Sequence, residues 1–170
     1  MAEGEIAYAP RTENYHYEME LVFALKSGGT KITEADALSH IYGCAAGLDM
    51  TRRDLQNKAK ENRKPWDTAK DVDESAVITP LRQMSEVPSV ASGRIHLSQN
   101  GTVKQDADLS EMVWSVPEII ADLSTMYTLQ QGDVIYMGTP AGVGAVSRGD
   151  VLAGGVEGIG DFELLSLIHI

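Results

Sequence analysis

Glu18 and Glu20 stand two residues apart in the run Tyr17-Glu18-Met19-Glu20-Leu21. The run reads as part of one strand over Tyr15 to Leu25. Side chains on a strand alternate faces, so Tyr17, Met19, Leu21, Phe23 and Leu25 share an apolar face, with His16, Glu18, Glu20, Val22 and Ala24 on the other. The two carboxylates are then about 6.6 Å apart at the Cα level, from a rise of about 3.3 Å per residue. Held that close and partly buried they repel, and a divalent cation relieves the repulsion. The same pattern also describes a half-exposed edge strand whose glutamates face water.

A third carboxylate, Asp49, falls at the end of the small apolar run Cys44 to Leu48. Three carboxylates with water suit octahedral Mg²⁺ or Mn²⁺, or a looser Ca²⁺ site. Lys70 can hold a substrate carboxylate or an enolate oxygen. Arg53 and Gln56, three apart on a predicted helix, share a face and can reach the same ligand. Gly138-Thr139-Pro140 places a hydroxyl and backbone N–H groups at a strand end, a common anion-holding arrangement. Taken singly, each has a plainer alternative: a surface ion pair for Arg53, a solvated turn for Lys70, a tight turn for the glycine loop.

These side chains need a scaffold. The periodicity predicts a helix over Thr33 to Tyr42 with Ala35, Leu38, Ile41 and Tyr42 inward, then a strand from Cys44 to Leu48. A second helix is predicted from Thr51, as its cap, to about Asn62, with an Asp54–Lys58 surface pair. Lys70 falls in a loop leading to a strand near Val77 to Thr79. Asn100-Gly101 between Arg94–Ser98 and Thr102–Gln105 marks a type I′ hairpin. Ser115-Val116-Pro117-Glu118 is a capping box opening a helix with Ile119, Ile120, Leu123 and Met126 inward. Further strands are expected at Glu5 to Tyr8, Val134 to Met137, Asp150 to Ala153 and Phe162 to Ile168. Irregular interleaving of strands and helices indicates an α+β fold with a mixed, mostly antiparallel sheet.

At 170 residues, the chain is long enough for one domain with a real core. The formal charge of −11 argues against nucleic acid as a partner, because a phosphate footprint needs clustered Lys and Arg. No apolar run reaches the ~20 residues of a membrane span. A single cysteine, Cys44, excludes an intrachain disulfide, fits a reducing compartment such as the cytoplasm, and reads as a buried structural thiol.

Several motifs occur together and in order: Glu18-Met19-Glu20-Leu21, Gly47-Leu48-Asp49-Met50-Thr51-Arg52-Arg53-Asp54-Leu55-Gln56, Pro65-Trp66-Asp67-Thr68-Ala69-Lys70, Asn100-Gly101 with Gln105, Gly132-Asp133-Val134-Ile135, Gly138-Thr139-Pro140 with Gly142-Val143-Gly144, and Gly158-Ile159-Gly160. The ordered set resembles the catalytic domain of the fumarylacetoacetate hydrolase family, nearest its acylpyruvase and fumarylpyruvate hydrolase branch, from about Ile6 to Leu167. The resemblance implies a mixed β-sandwich or β-roll with flanking helices, a single catalytic domain over residues 1–170, and a homodimer. It implies Glu18, Glu20 and Asp49 as ligands of Mg²⁺ or Mn²⁺, sometimes Ca²⁺. Lys70 is implied as the catalytic and substrate-contacting lysine, and Arg53, Gln56 and Thr139 as substrate-binding residues.

The implied reaction is cleavage of the C–C bond of an acylpyruvate or fumarylpyruvate-type 1,3-dicarbonyl acid. Oxaloacetate decarboxylation and dienedioate isomerisation are the alternatives within the family. The family's water-activating His and Glu lie on an N-terminal lid segment with no counterpart before Tyr15, and His16 does not match that His. A chain truncated in this way is expected to cleave acylpyruvates poorly, down to a metal-binding remnant without turnover. A two-carboxylate glycosidase is a different class, but two Trp and two Phe offer no evident sugar-stacking platform.

Overall fold

The computed structural model describes residues 2–167. Its strands are β1 (Ala2–Ala7), β2 (Tyr15–Tyr17), β3 (Met19–Leu25), β4 (Ile41–Asp49), β5 (Thr51–Arg52), β6 (Ala76–Ile78), β7 (Arg82–Gln83), β8 (Arg94–Gln99), β9 (Thr102–Asp108), β10 (Val134–Tyr136), β11 (Gly144–Ala145), β12 (Val151–Val156) and β13 (Gly160–Leu167). The helices are α1 (Glu34–Ala37), α2 (Arg53–Glu61), α3 (Asp67–Lys70) and α4 (Val116–Met126). One sheet runs β1-β13-β12-β8-β9 and a second runs β10-β3-β4-β6, with β7 also on β4. A small third sheet, β11-β2-β5, adjoins them. Only β1 and β13 pair in parallel among these ladders. Strands β3 and β4 pack against β8, β12 and β13, so the two larger sheets face each other across the core. This is the mixed α+β sandwich expected from the sequence.

The alternation predicted for the first strand holds in part. Met19, Leu21, Phe23 and Leu25 all enter the core, but Val22 and Ala24 opposite them are buried too. Strand β3 lies between β10 and β4, so it is no edge, and every one of its residues is buried, so both its faces are covered. The predicted continuous strand from Tyr15 is also interrupted. Tyr15–Tyr17 belongs to the small sheet and Met19–Leu25 to a large one, with Glu18 at the break.

The predicted helix over Thr33 to Tyr42 is much shorter. Thr33 caps α1 as expected, accepting from Asp36 N, but α1 passes into a 3-10 turn at Leu38–His40 and Ile41 already begins β4. Pairing of Leu25 with Ile41 and of Ala24 with Gly43 draws this segment into the sheet, and sheet burial overrides the helical period. Ala35, Leu38 and Tyr42 are consequently exposed. Thr51 does not cap α2. It sits buried in β5, and the capping position is taken by Arg52 without a side-chain bond. Asp54 does not pair with Lys58: its carboxylate accepts from Thr12 Oγ1 at 2.6 Å and Glu13 N at 3.1 Å, tying the loop after β1 to α2. Lys70 ends a short helix, α3, where a loop was predicted. In α4 the capping box forms, but Met126 faces solvent while Val116, Ile120 and Ser124 are buried. The last residues of the strand predicted to Ile168, and the tail beyond it, lie outside the described residues.

The hairpin forms as predicted, with Asn100 at φ 50° and Gly101 at φ 76° in a two-residue turn between β8 and β9. Both positive φ values are what a type I′ turn requires. Cys44 is buried, and burial pushes its thiol up to about 11, so it is protonated and structural.

Gly47 pairs directly with Glu20 across the β3–β4 ladder. A Cβ there would meet Val22 Cγ2 at 2.6 Å, Val77 O at 2.8 Å and Tyr136 Cε1 at 3.1 Å. Gly47→Ala is therefore expected to cost about 1–3 kcal/mol through overpacking. Urea unfolding of the two proteins measures it directly.

Candidate metal and substrate site

Register brings the three carboxylates together. Asp49 ends β4 and its backbone N–H donates to Glu18 O at 2.9 Å. Glu20, two residues on from Glu18, pairs with Gly47, where Val22, Val77 and Tyr136 close in and leave no room for a side chain. One carboxylate oxygen from each of Glu18, Glu20 and Asp49 lies within 4.8 Å of the others. Octahedral ligands at about 2.1 Å stand about 3–4 Å apart, so these oxygens match Mg²⁺ or Mn²⁺ in donor type and in reach. A group of acids this close, with Glu18 and Glu20 buried, can bind a metal ion.

Two cations flank the group. Lys70 Nζ donates to Glu18 Oε2 and to Asp49 Oδ2, both at 2.5 Å. Arg53 Nη2 donates to Glu18 Oε1. Arg53 Nη1 donates to Gln56 Oε1 at 2.6 Å, the one-face geometry expected from their spacing. The Arg53 Nε–H points to His16 Nδ1 at 3.4 Å, and His16 Nε2 contacts Asn14 Oδ1 at 2.7 Å. Both ring nitrogens of His16 are thus engaged in holding Arg53 and the loop, which leaves neither free to act on water.

The three acids are not equivalent. Burial pushes the Glu18 carboxyl up, but hydrogen bonds from Lys70 and Arg53 outweigh it and hold it below its ordinary value. Burial raises Asp49, and Lys70 only partly offsets this. Glu20 has no cation bonded to it. Burial pushes it up to about 7, against a hydrogen bond from Gly138 N at 2.6 Å and with repulsion from Asp49 and Glu18 added. Lys70 moves the other way: burial alone would lower it, but Asp49 and Glu18 together raise it. The ammonium is therefore a fixed positive charge and not a proton acceptor. Three carboxylates face two cations, Glu20 is the one without a cationic partner, and a divalent cation would supply the positive charge that favours its ionised form.

The glycine loop reaches the same place. Gly138 follows Met137, whose N–H donates to Leu21 O at 3.0 Å, so the loop leaves β10 beside the metal strand. Gly138 has φ 94° and Gly142 φ 101°. A Cβ on Gly142 would lie 2.0 Å from Lys104 O, so only glycine lets the loop run this close to β9. On its other side the loop borders a separate cavity of about 620 Å³, lined by Thr139 and Pro140 with Leu21, Trp114, Ile119 and Met137 and by none of the three acids, Lys70, Arg53 or Gln56.

All seven residues singled out in the sequence thus fall around one locus. Glu18, Glu20, Asp49 and Lys70 meet directly, Arg53 attaches through Glu18 and Gln56 through Arg53, and Thr139 attaches through its neighbour Gly138 and Glu20. Sequence reasoning gave no role to Gln105, which bonds Thr139 and the metal strand, or to His16, which braces Arg53. For His16 the signal was available, since it lies on the glutamate side of the predicted strand.

The chain is similar to several known proteins. Residues 1–164 match the family model for the fumarylacetoacetate (FAA) hydrolase C-terminal region. Fumarylpyruvate hydrolase of Ralstonia sp is 54% identical over 159 residues, 94% of this chain and 82% of that protein. The mitochondrial oxaloacetate tautomerase FAHD1 of Rattus norvegicus is 36% identical over 162 residues, 90% of this chain and 73% of that protein. The crystal structure of fumarylpyruvate hydrolase from Pseudomonas aeruginosa in complex with Mn²⁺ and pyruvate superposes with a TM-score of 0.96 at 40% identity, covering 99% of this chain and 74% of that one. The chain belongs to the fumarylacetoacetate hydrolase family.

Proposed function

We propose that this chain is a divalent-metal-dependent hydrolase that cleaves the C–C bond of acylpyruvate or fumarylpyruvate-type 1,3-dicarbonyl acids. The observation that carries the reading is the trio of carboxylate oxygens within 4.8 Å, braced by one ammonium and one guanidinium. Its likeness to the Ralstonia and Pseudomonas fumarylpyruvate hydrolases, the latter holding Mn²⁺ and pyruvate, supports the same reaction class.

Glu18, Glu20 and Asp49 hold Mg²⁺ or Mn²⁺, and such an ion supplies Lewis-acid stabilisation of the enolate oxygen. Lys70 keeps its proton and adds a second positive charge beside that oxygen. Arg53 spends one N–H on Glu18 and one on Gln56, which retains one free on each terminal nitrogen for a substrate carboxylate. Gln56 accepts from Arg53 through Oε1 and so presents its NH₂ group as a donor. Thr139 offers a hydroxyl on the loop side. In the reaction, water adds to the acyl carbonyl, the bond from that carbon to the methylene breaks, and its electron pair passes to the pyruvate enolate, which takes up a proton. These residues form a single catalytic domain in this reading. Its assembly is a homodimer, supported by the exposed apolar Val113, Trp114, Met126 and Tyr127 around α4. Its compartment is the cytoplasm, supported by the lone buried thiol. No helix among the described residues is long and apolar enough to cross a membrane.

Metal depletion tests the proposal. The chain treated with a chelator is expected to lose fumarylpyruvate turnover, and added Mn²⁺ is expected to restore it. Oxaloacetate offered under the same conditions is expected to be decarboxylated more slowly. Turnover that survives chelation, or faster loss of CO₂ from oxaloacetate, overturns the reading.

A further inference from the structure

Gln105 on β9 is completely buried, and its carboxamide is fully used. Oε1 accepts from the Met19 N–H at 3.0 Å. Nε2 donates to Thr139 Oγ1 at 2.8 Å and to Pro140 O at 2.9 Å. The orientation of the amide is fixed by its partners, because a backbone N–H only donates and a carbonyl only accepts. The oxygen must face Met19 and the nitrogen must face the loop.

The polarity of Thr139 follows. Its hydroxyl oxygen accepts from Gln105, and its own proton has no acceptor among the described residues. The hydroxyl is left as a donor, which is the polarity a carboxylate ligand needs. Met19 lies between Glu18 and Glu20, so the same side chain ties the Gly138–Pro140 loop to the backbone that carries two of the acids. Gly142 lets the loop close onto β9 at Lys104, the neighbour of Gln105, and so brings Thr139 into reach.

We infer that Gln105 is a positioning residue: its carboxamide sets the Thr139 hydroxyl as a hydrogen-bond donor to the carboxylate of a bound keto acid and fixes its distance from the metal strand. The inference rests on the proposed reading of Thr139 as a substrate contact. Gln105→Glu keeps the shape and an acceptor for Met19, but two amide protons are replaced by at most one, so Thr139 Oγ1 and Pro140 O can no longer both be served. An ionised residue 105 draws the Thr139 proton to itself, and a protonated one serves only one of the two loop acceptors.

The test is calorimetric titration of pyruvate into the Mn²⁺-loaded full chain, with separate Mn²⁺ titrations. Gln105→Glu is expected to raise the pyruvate Kd about tenfold, the scale of one hydrogen bond to a charged group. Its Mn²⁺ Kd is expected to stay within about twofold, since no acid is removed. Thr139→Val is expected to weaken pyruvate similarly, and the double variant to be no weaker than Thr139→Val alone, because the two changes remove one interaction. A side chain that merely fills space gives effects that multiply. Gln105→Met, read in the same cycle, serves if the glutamate variant does not fold. Multiplying effects, or a pyruvate Kd unchanged in both Gln105 variants, overturn the inference and leave the proposed function standing. Wild-type chain that binds Mn²⁺ but no pyruvate overturns the proposed function and this inference with it.

Discussion

Asp49→Ala is expected to lower Mn²⁺ affinity by at least about 100-fold, more than the roughly 10- to 100-fold typical of losing an outer partner of a ligand. The chain is expected to stay folded. Asp49 ends β4 with its side chain partly exposed, and its backbone bond to Glu18 O survives the change. Lys70 keeps a partner in Glu18, so no cation is stranded. Glu18 is a poorer choice for the same experiment. It alone joins Lys70 and Arg53, and Glu18→Ala removes the Arg53 ion pair and half of the lysine's partners. That change is expected to cost stability as well as metal, by roughly 2–3 kcal/mol after allowing for partial exposure. Calorimetric titration with Mn²⁺, alongside thermal unfolding of the apo proteins, separates the two effects. Unchanged Mn²⁺ affinity in Asp49→Ala contradicts the carboxylate trio as the metal site.

Lys70→Met is expected to lower kcat on an acylpyruvate by about 100- to 1000-fold, the usual loss when one preorganised charge facing a developing oxyanion is removed. The direction of its effect on metal is the informative part. Lys70 Nζ bonds the same two carboxylates that would take the ion, and it is their local competitor. Removing it is expected to leave Mn²⁺ affinity equal to or tighter than wild type, while turnover collapses. A variant that loses metal and turnover together shows instead that Lys70 assembles the acids. Methionine keeps most of the length and apolar stem of the lysine, so the packing of α3, with Ala69 buried, is retained.

Much of the site was legible because a strand has a strict period. Glu20 follows that period, Glu18 keeps to its side although the strand breaks there, and Asp49 follows a small apolar run that pairs with β3. Arg53 and Gln56 follow a helical spacing and meet as predicted. What the sequence hid depends on pairing between distant segments. Nothing local marks Glu18 as the break between two sheets, yet that break gives its carboxylate access to both Lys70 and Arg53. The helical pattern of Ala35, Leu38 and Ile41 is real, but Leu25 captures Ile41 into the sheet. Asp54 finds Thr12, 42 residues away, in preference to the neighbour one turn along its own helix. Gln105 has no sequence signal for burial: it alternates with exposed Lys104 and Asp106 on a hairpin strand, and only the fold shows it beneath the glycine loop.

The most direct test of the whole account is product formation from fumarylpyruvate and Mn²⁺ by the wild-type chain and by Asp49→Ala, measured side by side. Hydrolysis at the bond between the acyl carbon and the methylene yields fumarate and pyruvate in equal amounts. Both products are expected from the wild-type chain, and neither above background from Asp49→Ala. Equal rates from the two proteins, or wild-type consumption of substrate that releases CO₂ in place of fumarate, contradict it.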